Sequence, residues 1–149
     1  MSQRQPEPKR ARSPLAGVRV ADVMHPGLIS CLPETPLRAV ARMMATYRVH
    51  AVVVFPRHMG DIEHALAWSV VSDLDVARAA RKGSFDLQTA GGAAASAVRT
   101  VDAAAPVADA VAAMVEDGVS HVIAIEPPSG RPVGMLSTLD VARALAGLP

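Results

Sequence analysis

The residues best suited to chemistry form a short pattern, a serine followed three positions later by an aspartate, which occurs twice in the 149-residue chain. Ser72 and Asp75 form the first copy, and Ser137 and Asp140 form the second. A carboxylate at the start of a helix offers two acceptor oxygens to hydroxyl donors, and the helix dipole favours its charge. The same pattern is a capping box, which stabilises a helix without any ligand. The residues alone therefore leave both interpretations open, a binding site or a pair of helix caps.

These two pairs belong to a longer internal repeat. Residues 72–79 return as 137–144 with seven of the eight residues retained, and residues 36–44 align with residues 106–114 at an offset of 70. Because the serine-aspartate motifs are offset by only 65, the first copy carries five extra residues, which we place in the polar stretch 56–64. A duplicated unit of this size predicts two half-domains that bury their apolar faces against each other.

The first helix of each copy is predicted from the spacing of its apolar residues. In the first copy we expect Thr35 to be the N-cap and Pro36 the first helical residue. Leu37 then begins a stripe of apolar residues with helical period. The second copy repeats the stripe from Val107, and we expect Gly118 to end that helix as its C-cap.

Strands are predicted from apolar runs on both sides of these helices. Residues 51–55 and 122–125 are rich in β-branched residues and read as strands covered on both faces. A shorter run at 28–32 precedes the first helix, and residues 66–71 and 133–136 supply one further strand in each copy. The serine-aspartate motif then begins a second helix. Each copy is therefore a predicted β-α-β-β-α unit, and the fold class is α/β (α+β).

Composition argues against several classes of protein. Hydrophobic residues make up 50% of the chain and aromatic residues 3%, which fits a compact core of aliphatic side chains. No apolar run approaches the ~20 residues of a membrane helix and no secretory signal is evident, so we expect a cytoplasmic protein without membrane association. Phosphate-loop and nucleophile-elbow motifs are absent, so we expect no enzyme activity and no catalytic residue. The histidines and acids of residues 58–64 lack the spacing of a metal site, and no cofactor is required.

Charge is unevenly distributed along the chain. Residues 1–14 hold four basic residues and one acidic residue, whereas the remainder holds eleven basic and thirteen acidic residues. We expect residues 1–17 to form a disordered basic tail, because they are polar, rich in proline and without periodicity. The first repeat then spans residues 18–83 and the second spans residues 84–149. The body of the chain is not a basic nucleic-acid surface, so we do not expect nucleic-acid binding.

Together these features resemble a tandem pair of CBS domains, the domains named after cystathionine β-synthase. The resemblance runs from about Val20 to the C-terminus and rests on Val23-Met24, on residues 28–37, and on a closing pattern of glycine, two apolar residues, Ser or Thr, and Asp three positions later. Residues 134–140 fit that pattern fully, whereas residues 69–75 begin with serine. The resemblance implies two repeats packed about a pseudo-twofold axis, with two clefts between them. It also implies a homodimer in the form of a flat disc of four repeats.

The resemblance further implies an adenosine-containing ligand in the clefts, such as AMP, ADP, ATP or S-adenosylmethionine. Asp75 and Asp140 would accept from the ribose hydroxyls, with Ser72 and Ser137 on the ribose or first phosphate. The remaining candidates are cations for the phosphates and a slot for the base, namely Arg48, His50, Arg99 and His121, then Leu28, Ile29 and Ser30 in one half and Val98, Arg99 and Thr100 in the other. This predicts a regulatory ligand-sensing module. No catalytic domain accompanies the repeats, so it would signal to a separate partner protein.

Two features of the first copy predict that the clefts are unequal. Ser69 replaces the family's glycine, and Trp68 precedes it. The indole either fills the first cleft, stacks on a base, or belongs to the core or a dimer interface. We therefore expect Asp140 to be the better ligand-binding aspartate. The alternative function is a ligand-free dimerisation or scaffolding module whose clefts are closed by side chains, and a third hypothesis is nucleic-acid binding through the tail.

Overall fold

Two copies of one β-α-β-β-α unit follow each other along the chain in the computed structural model, which describes residues 13–55, 68–94 and 99–148. The first part contains α1 (Val20–Val23), β1 (His25–Pro26), β2 (Ser30–Cys31), α2 (Leu37–Tyr47), β3 (Ala51–Val54), β4 (Ser69–Ser72) and α3 (Asp73–Arg81). After a 3-10 turn at Phe85–Leu87 come α4 (Ala90–Ala93), β5 (Thr100–Asp102), α5 (Val107–Asp117), β6 (His121–Glu126), β7 (Arg131–Ser137) and α6 (Thr138–Leu145). The predicted α+β fold with two repeats is confirmed.

Each repeat contributes one sheet with the same internal arrangement. In the first sheet β2 runs parallel to β3, and β4 pairs antiparallel with β3 so that Ala51 lies beside Ser72. In the second sheet β5 runs parallel to β6, and β7 pairs antiparallel with β6 so that His121 lies beside Ser137. The serine of each motif therefore ends the strand that directly precedes the helix carrying the aspartate.

The segment that leads into each repeat packs on the other repeat. β1 adds to the edge of the second sheet, where His25 pairs with Met135. The Val20 amide donates to the Ala105 carbonyl at 2.9 Å, in the second repeat. Conversely, the Ala90 amide donates to the Thr35 carbonyl at 2.8 Å, in the first repeat. The repeats thus exchange their leading segments, in addition to packing sheet against sheet.

An apolar layer between the two sheets joins the repeats. Its fully packed members come from both sheets and are Ala51, Val53, Val70, Ile123 and Met135, with Leu28, Phe55, Trp68 and Ile125 partly buried against them. Trp68 therefore belongs to the core between the sheets, one of the positions expected for it. Two further clusters lie beneath the helices of the two repeats.

The ends of the two long helices differ in part from the prediction. Gly118 ends α5 with a left-handed φ of 62°, which confirms the predicted C-cap. Arg48 ends α2 in the same conformation, with φ 54°. The predicted Thr35 cap is wrong, because Pro36 is itself the extended N-cap and the helix begins at Leu37. In this extended conformation Pro36 also forms a bridge with Thr89 of the second leading segment.

Residues 13–17, the first that the structure describes, belong to the expected tail. Residues 14–17 form a turn, and Leu15 packs into the core of the second repeat. Residues 1–12, the polar stretch 56–64 and Val98 lie outside the described residues. Within the described ranges, no helix has the length and apolar character needed to cross a membrane.

Candidate functional site

Asp75 is buried at the start of α3, where both its oxygens are engaged. Oδ2 accepts from the Ser72 amide at 2.8 Å and from the Ser72 hydroxyl at 2.9 Å, and the Asp75 amide donates back to that hydroxyl oxygen at 3.2 Å. The second oxygen, Oδ1, accepts from Arg78 Nη1 at 3.2 Å, one turn further along the helix. The capping box is therefore present, and it leaves Oδ1 as the oxygen that faces an exposed side chain.

Asp140 repeats this arrangement at the start of α6 with a different second partner. Its Oδ2 accepts from the Ser137 amide and hydroxyl, both at 2.8 Å. Its Oδ1 lies 2.9 Å from His25 Nε2, in strand β1. Both aspartates are only 5% exposed. The two motifs form the same helix cap. They differ in the residue that contacts Oδ1, the carboxylate oxygen that takes no part in the cap.

A cleft of about 500 Å³ opens beside Asp75, and we call it the Asp75 cleft. Each repeat supplies six of its lining residues, namely Val70, Ser72, Asp73, Leu74, Asp75 and Arg78 from the first and Arg99, Asp117, Gly118, Val119, Ser120 and His121 from the second. Its volume lies within the usual range of small-molecule sites, roughly 300–1,000 Å³. A ligand held there would contact both repeats at once.

Charged groups of both signs line this cleft. Arg99 Nη1 lies 3.4 Å from Asp117 Oδ2, an exposed pair that a ligand can replace at small cost. His50 Nδ1 lies 2.9 Å from Asp73 Oδ2, so His50 reaches the edge of the cleft through Asp73. Anionic ligand groups would find their cations on the second repeat's wall and at Arg78.

His121 combines a lowered pKa with a buried ring nitrogen that has no hydrogen-bond partner among the described residues. Burial lowers the pKa of His121, although the nearby carboxylates of Asp73 and Asp75 act in the opposite direction and His50 adds a smaller lowering. Its Nδ1 atom is buried and has no hydrogen-bond partner among the described residues. A neutral imidazole in this position can both donate and accept a hydrogen bond.

A second cleft, of about 290 Å³, lies beside Asp140, and we call it the Asp140 cleft. Its walls come from the first leading segment and from the end of the chain, and they comprise Asp22, Val23, Met24, His25, Asp140, Arg143, Ala144 and Leu148. The two clefts are therefore built differently, because the Asp140 cleft is closed on one side by the exchanged segment.

The CBS domain profile matches residues 20–82 and 93–147, which together cover most of the chain. The chain belongs to the CBS domain family. The family resemblance drawn from the repeated motif is thereby confirmed. No curated protein matches the chain.

Several solved structures share this fold. The CBS domain protein PAE2072 from Pyrobaculum aerophilum, complexed with AMP, is 26% identical, with a TM-score of 0.73 over 87% of this chain and 95% of that one. The CBS domain pair of protein MJ0100, in complex with 5'-methylthioadenosine and S-adenosyl-L-methionine, is 17% identical, with a TM-score of 0.74 over 87% and 96%. Hypoxic Response Protein I, with two coordinated zinc ions, is 23% identical, with a TM-score of 0.65 over 84% and 97%.

In this CBS pair the predicted site residues separate into three groups. Four of them, Ser72, Asp75, Arg99 and His121, line the Asp75 cleft together. Asp140 lines the other cleft, and Ser137 is buried against it. The remaining described candidates, Ile29, Ser30, Arg48, His50 and Thr100, line neither cleft, although His50 contacts Asp73. Leu28 lies in the layer between the sheets.

The sequence did not single out several residues that the clefts bring together. Arg78 belongs to the repeated octapeptide, so its recurrence as Arg143 was an available signal. His25 had none, because it lies in a two-residue strand whose partner is over a hundred positions away. Within the described ranges, no three His, Cys, Asp or Glu side chains are grouped so as to hold a metal ion.

Proposed function

We propose that this CBS pair is a regulatory module that binds an adenosine-containing ligand, such as AMP, ADP, ATP or S-adenosylmethionine, in the clefts between its repeats. The observation that carries the proposal is the composition of the Asp75 cleft. A buried carboxylate lines it from one repeat, and Arg99 and His121 line it from the other repeat. The AMP complex of PAE2072, at 26% identity, supports the choice of ligand class. The proposed activity is binding, with no catalytic step.

The ribose is the part of the ligand that Asp75 would recognise. Two adjacent hydroxyls donate to one carboxylate, and Oδ1 becomes available when Arg78 moves aside. Arg78 is 59% exposed and forms an i, i+3 pair, a kind that stabilises a helix by only about 0.2–0.5 kcal/mol. Its guanidinium would then join Arg99 in pairing with phosphate.

Signalling would follow from the two-sided wall of the cleft. A ligand that bonds to α3 of one repeat and to the start of β6 in the other stabilises one relative position of the repeats, because it binds that position best. A separate partner protein that contacts both repeats would distinguish the bound form from the free form. The ligand thus regulates the partner through the geometry of the pair.

We propose that the module acts as a homodimer. Leu74 and Leu139 occupy the second position of α3 and α6, and they are 55% and 50% exposed. Their equivalent places in the two repeats give a surface that a second copy can match with the same residues, as a twofold dimer requires. Sedimentation equilibrium of the chain and of the double variant Leu74→Glu, Leu139→Glu tests this. A monomeric parent chain would contradict it.

A ligand-free scaffolding module is the second candidate function. It is favoured by one observation, that all four oxygens of Asp75 and Asp140 already have partners within the chain. In that case the aspartates act only as helix caps, and the dimer surface is the functional part of the molecule.

Thermal melting with AMP, ADP, ATP and S-adenosylmethionine separates the two functions. A ligand at 100 times its dissociation constant adds ~2.7 kcal/mol, or roughly 5–11 °C for a domain of this size. Asp75→Asn should remove the shift, whereas Asp109→Ala, an exposed aspartate outside the clefts, should retain it. If no ligand raises the melting temperature of the parent chain, the sensing function is wrong and the scaffold remains.

A further inference from the structure

We propose that His25 occupies the ribose-binding position of the Asp140 cleft, so that each chain takes up one adenosine-containing ligand, beside Asp75. This inference rests on the proposed function and assigns the site at which it operates. It reverses the preference for Asp140 that the sequence pattern suggested.

The contact that blocks Asp140 is direct. His25 Nε2 lies 2.9 Å from Oδ1, the one oxygen that the capping box leaves free. The other oxygen already accepts two hydrogen bonds from Ser137. With the carboxylate 5% exposed, a ribose hydroxyl can reach Oδ1 only by displacing the imidazole.

The backbone of His25 is fixed, so the imidazole starts from a defined position. β1 pairs with β7 through His25 and Met135, and the Gly27 amide donates to the Val133 carbonyl at 3.1 Å. The segment lies so close to Gly134 that a Cβ there would be 2.6 Å from Met24 Sδ and 2.7 Å from the His25 carbonyl oxygen. Only glycine allows this approach, so the family's glycine position is what places His25 beside Asp140.

Among the described residues, no side chain of the other repeat contacts Oδ1 of Asp75 in this way, and the position equivalent to His25 in the sequence is Ala95. Arg78, the partner of Asp75 Oδ1, comes from the same helix as Asp75, whereas His25 comes from a strand that pairs with β7. The second repeat has the corresponding Arg143, which lines the Asp140 cleft, yet the ion-pair position on Asp140 is taken by His25. The cleft volumes agree with this difference, at about 500 Å³ beside Asp75 and about 290 Å³ beside Asp140.

Isothermal titration calorimetry with AMP, and separately with S-adenosylmethionine, measures the number of sites per chain. The parent chain should bind one equivalent, Asp75→Asn none and Asp140→Asn one. His25→Ala should bind two, and the added Asp140→Asn change should return it to one. His25→Gln is the matched control, because its amide nitrogen keeps a donor at similar reach and should leave one site. His25 is 64% exposed, so neither change removes a core side chain.

The outcomes separate this inference from the proposed function. Two sites in the parent chain, or one site that Asp140→Asn abolishes and Asp75→Asn spares, would overturn the role of His25 while ligand binding stands. A single site that persists in His25→Ala would overturn it too. No binding by the parent chain or by His25→Ala would overturn both proposals. Binding by His25→Ala and not by the parent chain, lost when Asp140→Asn is added, would support the block by His25. It would also show that the Asp75 cleft does not bind the ligand.

Discussion

Arg48 and Gly118 end the first long helices of the two repeats in the same left-handed conformation, with φ values of 54° and 62°. In both helices the cap amide donates to a methionine carbonyl four residues back, at Met44 and Met114. The repeat therefore requires a left-handed residue here, and the first copy meets that requirement with a side chain that strains the backbone.

Replacing Arg48 with glycine should stabilise the chain. Relief of the left-handed strain exceeds the entropy that glycine adds to the unfolded state, so we expect a gain of about 0.5–1 kcal/mol and a rise of roughly 1–4 °C in melting temperature. Gly118→Ala is the mirror experiment and should lower the melting temperature. No atom of the described residues lies within 4 Å of a Cβ built there, so the prediction rests on backbone strain. A lower melting temperature for Arg48→Gly would show that the arginine side chain makes a stabilising contact.

Gly134→Ala should detach the first leading segment from the second sheet. The new Cβ would clash with the His25 carbonyl, which is backbone, so we expect a loss of about 1–3 kcal/mol in the free energy of unfolding. Urea unfolding measures this. Gly92→Ala is the control, since among the described residues its Cβ would meet only Thr89 Oγ1, at 3.6 Å, in a helix. Equal stability of the Gly134 variant and the parent would mean that β1 does not pack this closely.

Ser72→Ala should cost about 1 kcal/mol, because it removes the hydroxyl that caps Asp75 and donates to its carboxylate. Ser72→Thr keeps the hydroxyl and should retain most of the stability. Ser120→Ala serves as the control for an exposed serine in the same cleft. The capping role would be refuted by equal denaturant midpoints for Ser72→Ala and the parent chain.

His121 should make the folded state sensitive to acid. Because burial lowers its pKa, the folded chain binds fewer protons than the unfolded chain once the pH falls to about 6.5, the ordinary value for histidine. The free energy of unfolding therefore decreases as the solution is acidified through and below that value. His121→Gln has no imidazole to protonate at this position. The stability of this variant relative to the parent should therefore improve as the pH falls from about 7.5 to about 5. A stability difference that stays constant across this range would contradict the assignment.

The sequence predicted most of the fold because each repeat contains local patterns of apolar and capping residues that are typical of strands and helices. The β-branched runs became β3 and β6, the apolar stripes became α2 and α5, and Gly118 ended its helix as expected. These features depend on neighbouring residues, so periodicity and capping rules reach them. Both capping boxes were likewise readable, since three positions separate their two members.

The exchange of leading segments was beyond the same rules. His25 and Met135 pair across more than a hundred residues, and a two-residue strand is too short to show a periodicity from which it could be predicted. The contents of the clefts depend on that exchange. The sequence therefore predicted Ile29, Arg48 and His50 as ligand contacts, and these residues line neither cleft. It gave no sign that residues 22–25 line the Asp140 cleft.

A crystal structure of the chain grown with AMP shows directly where the ligand binds. We expect one nucleotide per chain in the Asp75 cleft, with its ribose hydroxyls on the Asp75 carboxylate, its phosphate near Arg99 and His121, and the His25–Asp140 contact intact. Nucleotide bound outside this cleft, or in it with the ribose turned away from Asp75, would show that Asp75 is not the ribose-binding residue.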